Sequence, residues 1–335
     1  MSEPRISVVI PVKNERASVR ACIEGIRSQT LASSLEMIFV DSGSTDGTLE
    51  ILAGYPVTVH RIPSSEFNHG ETRNLGVRLA RGQFVALTVA DARPVDDRWL
   101  ERMVKHFDDP EVAGVCGQQV VPHDLDKNPL QWFRPYSQPV PRKIQFANPA
   151  EFKQLPPVEQ VALCGWDDVT AMYRRSDLLE IPFRRVNFSE DGIWAKDALS
   201  HGRALVYDYS ARVYHYHSET FRFRFRRTYT IKYHLHRYFY YVGVPEWLLP
   251  RLARHVYWSA RRKYCPERRA NWCAYNVRLT LAEWLAGWCF WLAAKAGGPR
   301  VVERIQTQLC ATPPQPVKAP WKLQESAVFN GRSST

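Results

Sequence analysis

The apolar positions of this chain fall into two alternating rhythms over its first third. Residues 6–10 (Ile-Ser-Val-Val-Ile) and 37–40 (Met-Ile-Phe-Val) are short, nearly continuous apolar runs of the length of a buried strand. Between them, residues 17–28 place Val19, Ile23 and Ile26 on one helical face. The pattern repeats with a strand over 57–62, a helix over 72–79 and an apolar strand over 83–89. A helix over 99–107 and a strand near 112–121 follow. Such alternation predicts an α/β fold: a mostly parallel sheet with helices on both faces. Crossovers of this kind bring the loops after the first two strands to one rim.

The rhythm then weakens. Residues 122–160 are rich in proline and polar residues and read as a long loop bordering a site. Strand-like and helical signals return at 169–173 and after Asp191. Residues 212–310 are basic and aromatic and read mainly as helix. Within them, 221–227 (Phe-Arg-Phe-Arg-Phe-Arg-Arg) alternates with period two, which argues strand, so both readings stay open there. The tail after Cys310 carries four prolines and is expected to be extended or disordered. The organisation read from this is one α/β domain in two halves, 1–115 and 116–211, then a helical region, 212–310, and a tail, 311–335.

Composition sharpens that outline. A chain of 335 residues with 45% hydrophobic content can bury a large α/β core and carry an appendage. Seven cysteines without a CxxC or metal-ligand spacing suggest a reducing compartment. The first strand starts within six residues, leaving no room for a signal peptide, so a cytoplasmic location is expected. Residues 212–269 hold fourteen Lys or Arg against three acids, an excess equal to the whole-chain net charge of +11. Such a segment implies a polyanionic partner: acidic lipid, nucleic acid or an anionic substrate.

The most informative motif is Val40-Asp41-Ser42-Gly43-Ser44-Thr45-Asp46-Gly47. It delivers Asp41 to the carboxyl end of a strand, where open α/β sheets bind ligands. An acid there suits a ribose or base, and the small residues let backbone approach closely. The earlier loop, Pro11-Val12-Lys13-Asn14-Glu15, lies on the same rim. Taken alone, Asp41 reads better as a helix-initiating acid, with Asp46-Gly47 as a plain turn.

Together these loops resemble the opening of family 2 glycosyltransferases, which use the GT-A fold. The resemblance covers roughly residues 5–230. The stretch Phe67-Asn68-His69-Gly70-Glu71-Thr72-Arg73-Asn74-Leu75-Gly76 resembles the rhamnosyltransferase-like branch. It implies that 1–115 binds a nucleotide-sugar and 116–211 an acceptor. The donor set implied is Pro11, Lys13, Glu15, Asp41, Ser42, Arg73 and Asp91, with the Arg73 guanidinium pairing phosphate oxygens in a fork. Asp91, in Ala90-Asp91-Ala92, matches the retained acid of the family's Asp-x-Asp-type motif and implies a divalent cation, Mg²⁺ or Mn²⁺, at the donor diphosphate. Ala90 and Ala92 depart from that motif, which leaves one carboxylate and puts metal dependence in question.

In Phe188-Ser189-Glu190-Asp191-Gly192 the family's Glu-Asp pair supplies the base of an inverting transfer. Asp191 is the implied base and Glu190 an orienting or acceptor-binding acid; capping of a helix by Ser189 is compatible with both. Gly165-Trp166-Asp167-Asp168 resembles the acceptor-side segment, making Trp166, Asp167 and Asp168 acceptor candidates, with solvated surface acids as the other reading. In Tyr214-His215-Tyr216-His217-Ser218, His217 matches a family histidine that touches metal or diphosphate. A zinc pair of His215 and His217 is a further option, since residues two apart on a strand share a face.

The resemblance thus implies transfer of a sugar from a nucleotide-diphosphate-sugar to a glycan or lipid-linked glycan hydroxyl, as in bacterial surface polysaccharide biosynthesis. Residues 284–294, rich in Trp, hold 11 uncharged residues, too few to cross a bilayer, which takes about 20. A helix lying in the membrane interface fits them, on the inner face of the plasma membrane, as does a helix packed on the catalytic domain. A sugar nucleotidyltransferase would carry a glycine-rich loop after the first strand, which residues 11–15 lack. A non-catalytic nucleotide- or membrane-binding module on a degenerate transferase is the other alternative, and the retained Asp41, Asp91 and Asp191 count against it. Nucleic acid is not expected as a partner.

Overall fold

The computed structural model describes residues 4–122, 127–128, 140–261 and 269–310. The strands are β1 (Ile6–Val12), β2 (Leu35–Asp41), β3 (Thr58–Arg61), β4 (Phe84–Leu87), β5 (Arg93–Pro94), β6 (Val112–Val120), β7 (Arg142–Ile144), β8 (Ala171–Arg174) and β9 (Ala204–Tyr214). The helices of the α/β part are α1 (Val19–Arg27), α2 (Thr48–Leu52), α3 (His69–Leu79), α4 (Trp99–Val104), α5 (Pro149–Gln154), α6 (Pro157–Leu163), α7 (Arg175–Glu180) and α8 (Glu190–Ser200). Four more follow: α9 (Phe221–Phe239), α10 (Leu248–Ala260), α11 (Arg269–Leu292) and α12 (Gly298–Leu309).

One nine-stranded sheet runs in the order β3-β2-β1-β4-β8-β6-β9-β5, with β7 added on β9. β3, β2, β1 and β4 are parallel; β8 inserts antiparallel between β4 and β6, and β6 runs parallel to β9. The expected mostly parallel sheet is therefore present, with β8 as its antiparallel insert. Successive residues of β1 enter opposite cores: Val8 and Ile10 pack with Ile23, Phe39 and Trp99, while Val9 packs with Val77, Leu87 and Trp194. This is why β1 reads as a continuous apolar run: both faces of the sheet are covered. Helix α3 lies close on β1 because Gly76 has no side chain; a methyl there would overlap the Val9 side chain.

The reading of 122–160 as one long loop is corrected where those residues are described. β7, α5 and α6 lie within it. Both helices start on proline, and Asn148 caps α5 by accepting from the Ala150 N–H at 2.8 Å. Each is about two turns long and buries a single side chain, Phe152 or Gln160, so no helical period could show.

The open choice at 221–227 resolves as helix. Thr220 caps α9 by accepting from the Phe223 N–H at 3.1 Å, and Phe223, Tyr229 and Tyr233 are buried along it. Helix α11 packs one face, with Ala286 and Phe290, against Tyr229 of α9 and Val302 of α12. Its Trp-rich stretch is thus part of a packed helical layer, while Leu285 and Leu292 stay exposed. Among the described residues no helix is long and apolar enough to cross a membrane. The tail expectation for 311–335 lies outside the described residues.

Candidate active site

The register of the sheet decides what meets at its rim. Val12 ends β1 opposite Asp41, the end of β2. The loops that follow are tied to each other. The Asn14 N–H donates to Ser44 Oγ at 2.9 Å, the Thr45 N–H to Asn14 Oδ1 at 2.8 Å and the Glu15 N–H to Thr48 Oγ1 at 2.8 Å. Asn14 takes a left-handed conformation, φ 54°, to make this join. Asp46 accepts from the Thr48 N–H at 3.0 Å and the Arg16 N–H at 3.0 Å, closing the second loop onto the first.

Asp41 itself is fully buried. Its carboxylate accepts from the Gly43 and Ser44 N–H groups, each at 3.1 Å, with Arg61 3.8 Å away. In this structure its carboxylate shapes the loop that follows β2. Ser42 is likewise buried, Glu15 is buried and accepts from Ser18 Oγ at 2.7 Å, and Pro11 is half-buried. Lys13 is exposed and donates to Ser64 Oγ at 3.1 Å.

Asp91 lies four residues beyond β4, whose end pairs with the start of β8. His215 follows β9 directly and extends its ladder, its N–H donating to Val120 O at 3.1 Å. His215 Nε2 and His217 Nε2 each stand 3.5 Å from an Asp91 carboxylate oxygen. One ligand atom from each of the three residues fits within 4.8 Å of the others. Burial, with His215 alongside, pushes the His217 imidazole down to about 4.

Gln119 of β6 settles the tautomer of His215. Its amide touches the Asp167 carboxylate on one side and His215 Nδ1, at 2.7 Å, on the other. A carboxylate only accepts, so the amide nitrogen faces Asp167 and the amide oxygen faces His215. His215 Nδ1 then carries a hydrogen, and its Nε2 faces the Asp91 carboxylate. Bare, that nitrogen offers a lone pair to a cation; protonated, it pairs with the carboxylate directly. Three such donors facing one point make a site for a divalent cation.

On the far side of Gln119 the acids accumulate. Asp168, Glu190 and Asp191 surround the buried guanidinium of Arg73, and Asp167 lies close to Asp191. Arg73 pairs with Glu190 and lies 3.3 Å from Asp168. Burial, offset in part by Arg73, pushes the Asp168 carboxyl up to about 7. Asp191 is the second residue of α8 and accepts from the Gly192 N–H at 2.7 Å. Its residue surface is only partly covered, yet its carboxyl sits deep. Burial, then Glu190, Asp168 and Asp167, hold it well above the usual carboxylate range.

Three of the expected site residues are held by protein partners in this arrangement. The Arg73 guanidinium meets Glu190 and Asp168. Trp166 is a core residue: its ring packs against Trp194 and Tyr207, and its Nε1–H donates to Tyr173 OH at 2.7 Å. Asp168 is interior as well and accepts from Tyr173 OH, which leaves Asp167 as the partly exposed acid of that segment. Gln119 was not anticipated at all, and His215 entered only as half of a zinc pair; their signal was the pairing of β6 with β9, which no short motif records. A surface cavity of about 710 Å³, lined by Arg16, Arg20, Glu50 and Tyr55, shares none of the clustered residues.

A doubly covered sheet with a donor-rich rim at its carboxyl ends defines an α/β protein of the GT-A type. The chain belongs to glycosyl transferase family 2, whose model matches residues 7–179. It is 28% identical over 209 residues to the O-antigen chain rhamnosyltransferase RfbN of Salmonella typhimurium, covering 61% of this chain and 62% of that protein. It is 36% identical over 129 residues to the O-antigen chain rhamnosyltransferase WbaN of Salmonella anatum, covering 38% and 40%. The match thus spans less than two thirds of either relative. Among solved structures, the mannosyltransferase PcManGT of Pyrobaculum calidifontis, in complex with GDP-Man and Mn²⁺, is similar in fold. The TM-score is 0.52 and the identity 19%, over 92% of this chain and 80% of that one.

Proposed function

We propose that this chain is an inverting glycosyltransferase that moves a sugar, rhamnose by the kinship of its relatives, from a nucleoside-diphosphate-sugar to an acceptor hydroxyl on a glycan or lipid-linked glycan. The observation that carries this reading is the line Asp91–His215–Gln119–Asp167, which joins a cation site to the acid cluster holding Asp191. The donor's diphosphate belongs at the first end and the acceptor hydroxyl at the second.

Asp91, His215 and His217 would hold the cation. One carboxylate with two imidazoles favours Mn²⁺ over Mg²⁺, which prefers oxygen donors. When bound, it neutralises charge on the departing diphosphate. Asp191 takes the acceptor hydroxyl proton as that oxygen bonds to the anomeric carbon. The bond from that carbon to the diphosphate breaks, and its electron pair leaves with the phosphate oxygen. A carboxylate surrounded by other acids holds protons more tightly, which makes Asp191 a stronger base than a solvated aspartate. Glu190, paired with Arg73, keeps that guanidinium beside the base without neutralising it fully.

The test is Asp191→Asn. Turnover of a nucleoside-diphosphate-sugar with acceptor should fall by about 10²–10⁴-fold. Binding of the nucleoside diphosphate with Mn²⁺, read by calorimetry, should stay within a factor of about three, since the side chain lies on the acceptor side. Unchanged turnover would remove Asp191 from the chemistry, and no turnover by wild type would return the chain to a binding role.

A further inference from the structure

Helix α10 is amphipathic the wrong way round for a helix facing water. Its polar side is the inner one. Arg251 pairs with Glu283, His255 Nδ1 meets Thr280 Oγ1 at 2.6 Å, and Ser259 Oγ accepts from Asn276 Nδ2 at 3.0 Å. These residues recur every four positions and all three face α11. The opposite side carries Leu249, Ala253, Val256, Tyr257 and Ala260, all exposed. A helix on a water-facing surface shows the reverse arrangement.

The segment leading into this helix continues the apolar surface. Tyr240 is 78% exposed, Val244 77%, Trp247 86% and Leu249 78%. Basic residues accompany it: Arg254 and Arg261 are exposed on α10 and just past its end, and the sequence continues with Arg262 and Lys263. Arg261 lies over the Tyr257 ring at 5.0 Å. Glu246 is the acid at this edge and stands 3.9 Å from Arg251. Exposed Trp, Tyr and aliphatic side chains interleaved with arginine match the interfacial zone of an anionic bilayer.

We infer that the outer face of α10, with Tyr240 to Leu249, docks on an anionic lipid bilayer. The occupant is argued from charge complementarity and from the inverted polarity of the helix. Tryptophan and the aliphatic residues insert at headgroup depth, and the arginines meet the lipid phosphates. One side chain links the patch to the helix that carries Asp191. Lys196, on the same helix as Asp191, donates to Tyr238 O and lies 5.8 Å from the Tyr240 ring centre. This inference names where an acceptor carried in a membrane would be met, and in that respect it rests on the proposed transferase activity; the docking itself does not.

The test is co-sedimentation of the full chain with phosphatidylcholine vesicles, with and without phosphatidylglycerol. The chain should sediment with the anionic vesicles and remain in solution with neutral ones. The double variant Trp247→Ser, Leu249→Ser should bind at least about tenfold more weakly, because it removes two inserted apolar side chains. The pair Arg254→Glu, Arg261→Glu should lose the preference for phosphatidylglycerol. All these side chains are exposed, so thermal midpoints and Mn²⁺ binding should match wild type; this separates a docking failure from a failure of the enzymatic reading. No sedimentation of wild type, or equal sedimentation of the serine variant, would overturn the inference. So would a vesicle-free dimer, seen by analytical ultracentrifugation, that the serine pair dissolves, since a second copy would then cover the face.

Discussion

Asp191 shows what one side chain gains from its neighbours. Three further acids close to it make its proton hard to remove, and Arg73 returns only part of that effect. A base with a raised pKa is protonated and inactive at low pH and becomes active as pH rises through that value. The acidic limb of kcat/KM should therefore lie well above the range near 4 of an ordinary aspartate. Asp167→Asn removes a negative charge, so the limb should move to lower pH, by less than about one unit. A pH–rate profile on both proteins checks this; a limb that stays put or moves upward contradicts the assignment of Asp191. The sequence shows Asp191 and Glu190 as an adjacent pair but not what meets Arg73. Its partner lies 117 positions away, and no local pattern carries that pairing. Asp41 is the opposite case, since its own turn, two and three residues on, engages the carboxylate.

At the scale of elements, the site is a product of strand pairing. β6 and β9 run parallel to Gln119↔Val213 and Val120↔Tyr214, and one step further His215 reaches the Gln119 amide. The strands themselves were legible as apolar runs, since periodicity and length report burial. Their neighbours in the sheet were not, because β8 enters between β4 and β6 from a distant part of the chain. Hence Asp91 and His217 were found by motif, whereas Gln119 depended on topology. Its amide would orient His215 toward a bound cation, and partners of this kind typically matter about 10–100-fold in metal affinity. Gln119→Ala should weaken Mn²⁺ binding by about that factor, measured by calorimetry, while leaving the thermal midpoint nearly unchanged. Equal Mn²⁺ affinity in variant and wild type would mean that His215 needs no such partner.

For the whole molecule, two surfaces with different chemistry are held on one frame. The sheet rim gathers acids, imidazoles and loop amides, and the helical layer that follows it turns an apolar, arginine-bearing face outward. The basic character of 212–269 was plain in composition, but its arrangement was not: the arginines divide between pairs that knit helices together, as Arg224 and Arg251 do with Glu283, and exposed positions such as Arg254. The central claim is that Asp91, His215 and His217 grip a divalent cation beside the donor's diphosphate. Anomalous diffraction from crystals grown with Mn²⁺ and a nucleoside diphosphate tests it most directly. The account predicts one strong peak about 2.0–2.3 Å from an Asp91 oxygen and the Nε2 atoms of His215 and His217, bridging to phosphate oxygens. Nucleotide bound with the manganese elsewhere, or absent from those three side chains, would contradict it.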